Sequence, residues 1–431
     1  MSDLSENGTA SLWRHRRFLR FCVAQGTSEF GDQVTLLALP TAAIVILHAS
    51  AIDLGIITAL SYLPFLLFGL PAGVWVDRWP RQRILIVCDL ARGVLIASVP
   101  VAYWAGVLTL WQCFIVAFAV GIGTVFAETA THTVVPALVL RDQLLDANGK
   151  LEMSTSAALL AGPAAAGWLL TVLKAPFALV VDVVTFFAAA LLKVRLGMRE
   201  VARRQSATAR PPVRAEVTVG LRFLVRHPLL RRIVMATAIS NLFATFSTSL
   251  YVLYGVQDLR LTPAEIGVAL TVGSLSLLLA APLSSRLLRA MGIGPALVAS
   301  GLLPGLSILV LALADADTAL VAFMVWRALF AFGVTIYNVA QYGVRQVSIP
   351  AAMLGRVTGA IRFVVWGVIP AGGLLGGVLG DLFGARVALV VAGLGALTAV
   401  VPLVGSPVRS LRGLPDSADE EANYESTTIA R

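Results

Sequence analysis

The chain has 431 residues, 58% of them hydrophobic and 13% charged, with a mean hydropathy of +0.85. No soluble core of this length needs so much apolar sequence, which excludes a soluble enzyme and implies a chain that spends most of its length in lipid. The formal net charge of +9 does not point to nucleic acid, because the cations collect in the loops on one side of the apolar segments.

A bilayer core takes about 20 apolar helical residues to cross. Twelve segments qualify: 18–47, 52–76, 84–105, 108–136, 151–173, 176–196, 229–256, 263–287, 294–314, 318–346, 356–382 and 384–406. Loops on the side shared by both termini carry Arg14, Arg16, Arg17, Arg78, Arg81, Arg83, Arg286, Arg289 and many more, whereas the opposite side shows only Lys174, Arg260 and Arg386. That asymmetry predicts cytosolic termini. Cys22, Cys88 and Cys113 fall in or beside apolar segments without paired spacing and read as small hydrophobes, so neither a disulfide nor a metal site is expected.

Residues 1–17 form a cytosolic N-terminus whose Arg14-His15-Arg16-Arg17 precedes an apolar run too long for a signal peptide. The first segment holds Glu29 and Asp32, three apart on one face and about 14 and 18 Å from Arg20 at helical rise. Ionisable groups at that depth must face a cavity or a partner. The second segment ends in GLPAGVWVDRWPRQR (69–83), where lipid gives way to water at Asp77. Gly73 there would admit a neighbouring helix, Asp77 would sit against the positive end of a facing helix, and Arg78 and Arg81 would stay in the headgroup layer. In the third segment Asp89 and Arg92 are one turn apart near the cytosolic edge, a spacing for a local salt bridge or a brace to the preceding loop. Glu128 and His132 share a face of the fourth and could pass a proton, although a solvated Glu near the cytosolic end needs no such role. The fifth carries small residues from Ser154 to Ala166 and a packed Gly162-Pro163 kink. Asp182, three residues before Thr185 in the sixth, is placed either for a structural bond across helices or for a role in transport.

Gly73-x-x-x-Asp77-Arg78-x-Pro80-Arg81 resembles the signature between the second and third helices of the major facilitator superfamily, with Pro80 where Gly is usual and Gln82 in place of a second basic residue. Gly162-Pro163-x-x-x-Gly167 is similar to the fifth-helix motif of exporters in that superfamily. The FLR start of the first segment, Asn148 and Asp182-x-x-Thr185-Phe186 together resemble the branch that includes macrolide exporters and the enterobactin exporter. The fold this implies is all-α and integral to the membrane, with twelve transmembrane helices in two pseudo-symmetric six-helix bundles, 18–196 and 229–406.

Between the bundles, 197–228 turns polar and Arg-rich and ends in the amphipathic VTVGLRFLVRHP, for which an interfacial helix on anionic lipid is expected, with a plain solvated connector as the alternative. The chain then starts again: Leu230-Arg231 parallels Leu19-Arg20, and IPAGGLLGG at 369 echoes GPAAAGWLL at 162, as two halves of a transporter should. A decayed copy of the loop signature, SSRLLRAMG from Ser284, lacks its acid. The seventh segment offers a polar stripe of Asn241, Thr245, Thr248 and Tyr251. In the tenth, Arg327, Asn338, Gln341 and Arg345 lie roughly on one face. Arg327 sits about 12 Å from Ala319 along the helix and needs a carboxylate or carbonyls. Asp32 or Glu29 across a cavity are the assigned acids, with pairing inside its own half as the alternative. Arg356 and Arg362 open the eleventh segment and could meet Asp77, and Gly372, Gly373, Gly376 and Gly377 make a close-packing face. Residues 407–431 are an acidic, apolar-poor tail expected to be disordered.

In the superfamily the first, fourth, seventh and tenth helices line the cavity, and these carry Glu29, Asp32, Glu128, His132, Asn241, Thr245, Tyr251, Arg327, Asn338 and Gln341. The reading is a secondary active transporter working by alternating access. Its expected activity is proton-coupled efflux by antiport of a small amphipathic molecule such as a drug, macrolide or siderophore, with Asp32 as first-choice proton carrier, Glu29 or Glu128 as relay and His132 beside them. An uptake carrier for a metabolite is the alternative, followed by an integral-membrane enzyme or a transport-dead sensor. No GxxxxGK[ST] loop is present and the loops hold no His/Cys or carboxylate cluster, so ATP use, enzymatic activity and a bound metal or other cofactor are not expected. The partners implied are a small-molecule substrate, protons and membrane lipid, with energy from the proton gradient. A monomer in a bacterial inner membrane is expected. Aromatic and amide groups in the seventh and tenth segments suggest a sizeable cargo, uncharged or cationic.

Overall fold

A computed structural model describes residues 12, 15–140, 143–197, 213–350 and 353–413, and among these no strand occurs. Among the described residues, twelve spans are long and apolar enough to cross a membrane. In the first half they are α1 (Arg16–Leu47), α2 (Ala51–Arg78), α3 (Arg81–Trp104), α4 (Leu110–Leu138), α5 (Leu144–Val172) and α6 (Ala175–Val194). A shorter α7 (Val213–Arg226) leads into α8 (Pro228–Leu253), α9 (Pro263–Met291), α10 (Ile293–Ala312), α11 (Ala319–Ser348), α12 (Leu354–Gly367), α13 (Ile369–Phe383), α14 (Ala385–Leu397) and α15 (Val401–Val404). The eleventh span is thus two helices, α12 and α13. The break falls immediately before Pro370, whose ring cannot continue the ladder of the preceding turn. The fifth starts earlier than hydropathy placed it, because the polar stretch from Leu144 is already helical.

Helix starts carry the expected chemistry. Thr262 and Glu265 form a reciprocal capping box on α9, and Thr109 caps α4. The internal repeat extends to a cap that composition does not show: the His15 Nδ1 accepts from the Phe18 amide at 3.2 Å, and His227 Nδ1 accepts from the Leu230 amide at 3.3 Å. These caps register the two copies one residue away from the Leu19-Arg20 against Leu230-Arg231 match.

By packing, the chain divides into two units, residues 1–48 with 67–208 and residues 49–66 with 209–431. Within the first, α1 packs on α5 and α6, and α3 on α4 and α6. Within the second, α8 packs on α13 and α14, and α10 on α11 and α14, the same pairing of first with fifth and sixth, third with fourth and sixth. The division differs from the sequence boundaries at 49–66. The glycines of α13 explain it: a Cβ on Gly55 would lie 2.5 Å from the Gly373 carbonyl and 2.9 Å from the Gly377 Cα, so the start of α2 seats backbone to backbone on α13. The other face of α13 meets α8, where Gly376 lies against the Phe246 backbone.

The linker also departs from expectation. Helix α7 packs on α12: Phe223 and Leu224 are buried with Leu230, Val357, Ile361 and Val365, and Gly220 lies against the Arg356 backbone. Part of its apolar face is thus buried on protein, while Val219 and Val225 stay exposed. The rest of the linker and the tail beyond 413 lie outside the described residues.

Candidate functional site

The polar centre of the first unit is built from α1, α3 and α6. Asp89, fully buried, accepts from two cations at once, Arg92 at 2.8 Å and Lys193 at 2.6 Å. Arg92 in turn reaches Asp32 of α1 at 3.4 Å and donates to Ser28 Oγ at 3.3 Å. Its guanidinium lies 4.3 Å from the centroid of Phe186 on α6. Four charges of both signs thus form one chain, Asp32, Arg92, Asp89, Lys193, with formal charge balanced inside the bundle. Asp32 is its open end, with 30% of the side chain exposed against 4% for Arg92 and 1% for Lys193.

Beside this chain sits Asp182. Its carboxyl accepts from the Thr35 hydroxyl of α1 in a short hydrogen bond and from Thr185 Oγ1 at 3.2 Å, and no cation of the described residues pairs with it. Gly31 makes the arrangement possible, since a Cβ there would run into both Asp182 Oδ1 and Thr185 Oγ1. Glu29, one turn toward the start of α1, accepts from Gln33 and lies within electrostatic reach of Asp32 and Glu128. Gly162 of the α5 motif lies against Gln33, with a would-be Cβ 2.5 Å from its Cβ. Helix α5 runs unbroken through Pro163 to Gly167 and beyond.

The expectation for Asp89 and Arg92 named a local salt bridge, and that bond is made. It missed that Arg92 joins Asp32 and that Lys193 completes the set. Asp32 therefore finds its guanidinium in its own unit. Arg327, assigned to it from sequence, is flanked in α11 by Trp326 and Phe330, whose ring centroids lie 5.3 and 5.8 Å from its guanidinium carbon. The signal that could have found Lys193 is a cation inside the apolar run VTFFAAALLKV, in the last turn of α6.

Several polar residues assigned to the cavity are engaged in packing. Asn241 donates to the Val365 carbonyl at 3.2 Å, tying α8 to α12, and Thr245 donates to the Asn241 carbonyl at 2.8 Å. Gln341, 2% exposed, donates to Asn338 Oδ1 at 2.6 Å and accepts from Thr237 at 3.1 Å. Tyr251 is buried against Trp326, ring centroids 5.5 Å apart. Asn241, Gln341 and Tyr251 thus contact a neighbouring helix, while Thr245 bonds within α8.

In the signature loop, Arg81 donates to the Thr133 carbonyl of α4 at 3.0 Å, while Arg78 and Arg356 are exposed. Gln82, where the superfamily pattern has a cation, donates to the Lys193 carbonyl at 2.7 Å, and Arg20 donates to the Arg195 carbonyl at 3.1 Å. Both thereby satisfy the open C-terminus of α6. The close approach expected at Gly73 is not made among the described residues, where a Cβ would meet no atom within 4 Å. The side chains of Asp77 and His132 lie outside the described residues.

Comparison with known proteins agrees with this architecture. The profile of the Major Facilitator Superfamily matches residues 21–369. Macrolide efflux protein A of Streptococcus pyogenes is 25% identical over 346 residues, covering 78% of this chain and 82% of the relative. The multidrug efflux pump Tap of Mycolicibacterium fortuitum is 26% identical over 378 residues, covering 83% and 88%. A crystal structure of the nucleoside transporter NupG superposes with a TM-score of 0.76 at 11% identity, over 90% of this chain and 99% of that one, a likeness of fold.

Proposed function

Because the chain belongs to the major facilitator superfamily, we propose that it is a proton-driven exporter of a small amphipathic molecule such as a drug, macrolide or siderophore. It works by alternating access in a bacterial inner membrane, as a monomer with both termini in the cytosol. The loop cations support that orientation. Efflux is supported by the names of two relatives and by the α5 glycine-proline motif.

The observation that carries coupling is the charge chain with one open end. Arg92 is shared between Asp32 and Asp89, so protonation of Asp32 removes one of its two carboxylate partners and leaves the guanidinium to Asp89 and Ser28. A proton arriving at the open end thereby changes which of α1 and α3 holds the cation. Discrete rearrangement of this kind lets an ion bias one conformation over another. Glu29, between Asp32 and Glu128, serves as relay.

The test is accumulation of radiolabelled erythromycin and of fluorescent dyes in everted vesicles with and without the protein. Proton-driven export predicts accumulation that vanishes when an ionophore collapses the pH gradient. Gradient-independent accumulation, or entry only in right-side-out vesicles, would reject it.

A further inference from the structure

Among its described residues, the second unit contains a guanidinium without a counterion. Arg327 lies eight residues into α11, about 12 Å along the helix from Ala319. Its Nε has no hydrogen-bond partner, and no carboxylate of the described residues pairs with it. The sequence shows why its own unit offers none: the acids of that unit near these helices, Asp53, Asp258, Glu265, Asp315, Asp317 and Asp381, all stand at helix ends or in loops. Asp32, the acid assigned to it from sequence, is already met by Arg92.

What surrounds Arg327 is aromatic and small. Trp326 and Phe330 flank the guanidinium, and the Tyr251 phenol is within electrostatic reach. Gly273 of α9 leaves the room it occupies, since a Cβ there would stand 3.1 Å from both its Cβ and its Nε. A half-buried guanidinium whose Nε is buried without a hydrogen bond is disfavoured relative to one that is paired, and such an arrangement is retained where a ligand supplies the missing charge. The planar fork of Arg suits a carboxylate, sulfonate or phosphate, and neighbouring rings suit an aromatic body.

We infer that Arg327 anchors an acidic group of the transported molecule, so that the cargo is an amphipathic anion with an aromatic or apolar body rather than the neutral or cationic compound that composition suggested. The inference rests on the transport reading above, but the site is tested without transport.

Purified protein in phosphatidylcholine nanodiscs is titrated into two dyes that share a ring system, anionic fluorescein and cationic rhodamine 123, and anisotropy is read with no gradient present. Wild type is expected to bind fluorescein at least ten-fold tighter than rhodamine 123. Arg327→Gln should lose that preference by ten-fold or more, Arg327→Lys should keep part of it, and Gly273→Ala, which crowds the guanidinium, should weaken fluorescein alone. Equal binding of both dyes by wild type, or unchanged preference in a folded Arg327→Gln, overturns the proposal. If Arg327→Gln does not fold, the Gly273→Ala result decides. Repeating the titration in phosphatidylglycerol nanodiscs separates the two sources of an anion. Unchanged affinity supports a cargo site, and competition by that lipid overturns it in favour of a headgroup site. Fluorescein binding without gradient-driven efflux would leave the site standing and reject the exporter.

Discussion

Asp89 is the residue on which the first unit's charges converge, and replacing it with Leu is the most informative perturbation of the fold. The carboxylate is fully buried and shared by Arg92 at 2.8 Å and Lys193 at 2.6 Å. Asp89→Leu leaves Lys193 with no described acid and Arg92 with Asp32 alone. Removing one partner of a buried pair costs about 3–5 kcal/mol, because the other charge stays desolvated. Lys193→Met removes the opposite partner and should cost about 3 kcal/mol by the same reasoning. The double variant removes both ends of that bond while Arg92 keeps Asp32, so it should be no worse than Asp89→Leu alone. The coupling energy between the two substitutions is then at least about 3 kcal/mol, the whole cost of the Lys193→Met single. Reversible unfolding in mixed micelles with rising dodecyl sulfate, followed by tryptophan fluorescence, reads all four forms. An Asp89→Leu protein within about 1 kcal/mol of wild type, or singles that simply add, would refute the shared-carboxylate account.

Gly31→Ala should destabilise by about 1–3 kcal/mol in the same titration, since its Cβ would strike Asp182 and Thr185, and Thr185→Ala in that background should recover part of the loss. Phe223→Asp should release α7 from α12 and expose residues 213–226 to limited proteolysis while the spans stay protected, because the buried ring is replaced by a charge. An unchanged cleavage pattern would show that the Phe223 contact does not hold that helix.

Much of the fold could be read from the chain because lipid imposes a simple rule: every crossing needs an apolar helix of near-fixed length. The glycine face of α13 and the small-residue α5 were legible for the same reason, since close packing in lipid needs small side chains. The charge chain was less so. Spacing within a helix reveals Asp89 with Arg92, but only tertiary placement brings Arg92 beneath Asp32 and Lys193 onto Asp89. The bonds of Asn241 and Gln341 were not legible for a related reason: sequence places an amide at membrane depth but does not show which neighbouring helix or side chain it bonds. The contact of the amphipathic linker helix with α12 was not legible, because Val357, Ile361 and Val365, which meet Phe223 and Leu224, lie more than a hundred residues later.

The central claim, that Asp32 couples protons to transport through Arg92, is tested most directly by Asp32→Asn in proteoliposomes loaded with a transported compound. Two readings are taken on the same preparation: efflux driven by an imposed pH gradient, and exchange of labelled for unlabelled compound with no gradient. The account predicts that gradient-driven efflux is lost while exchange persists. Efflux that still follows the pH gradient in Asp32→Asn would contradict it.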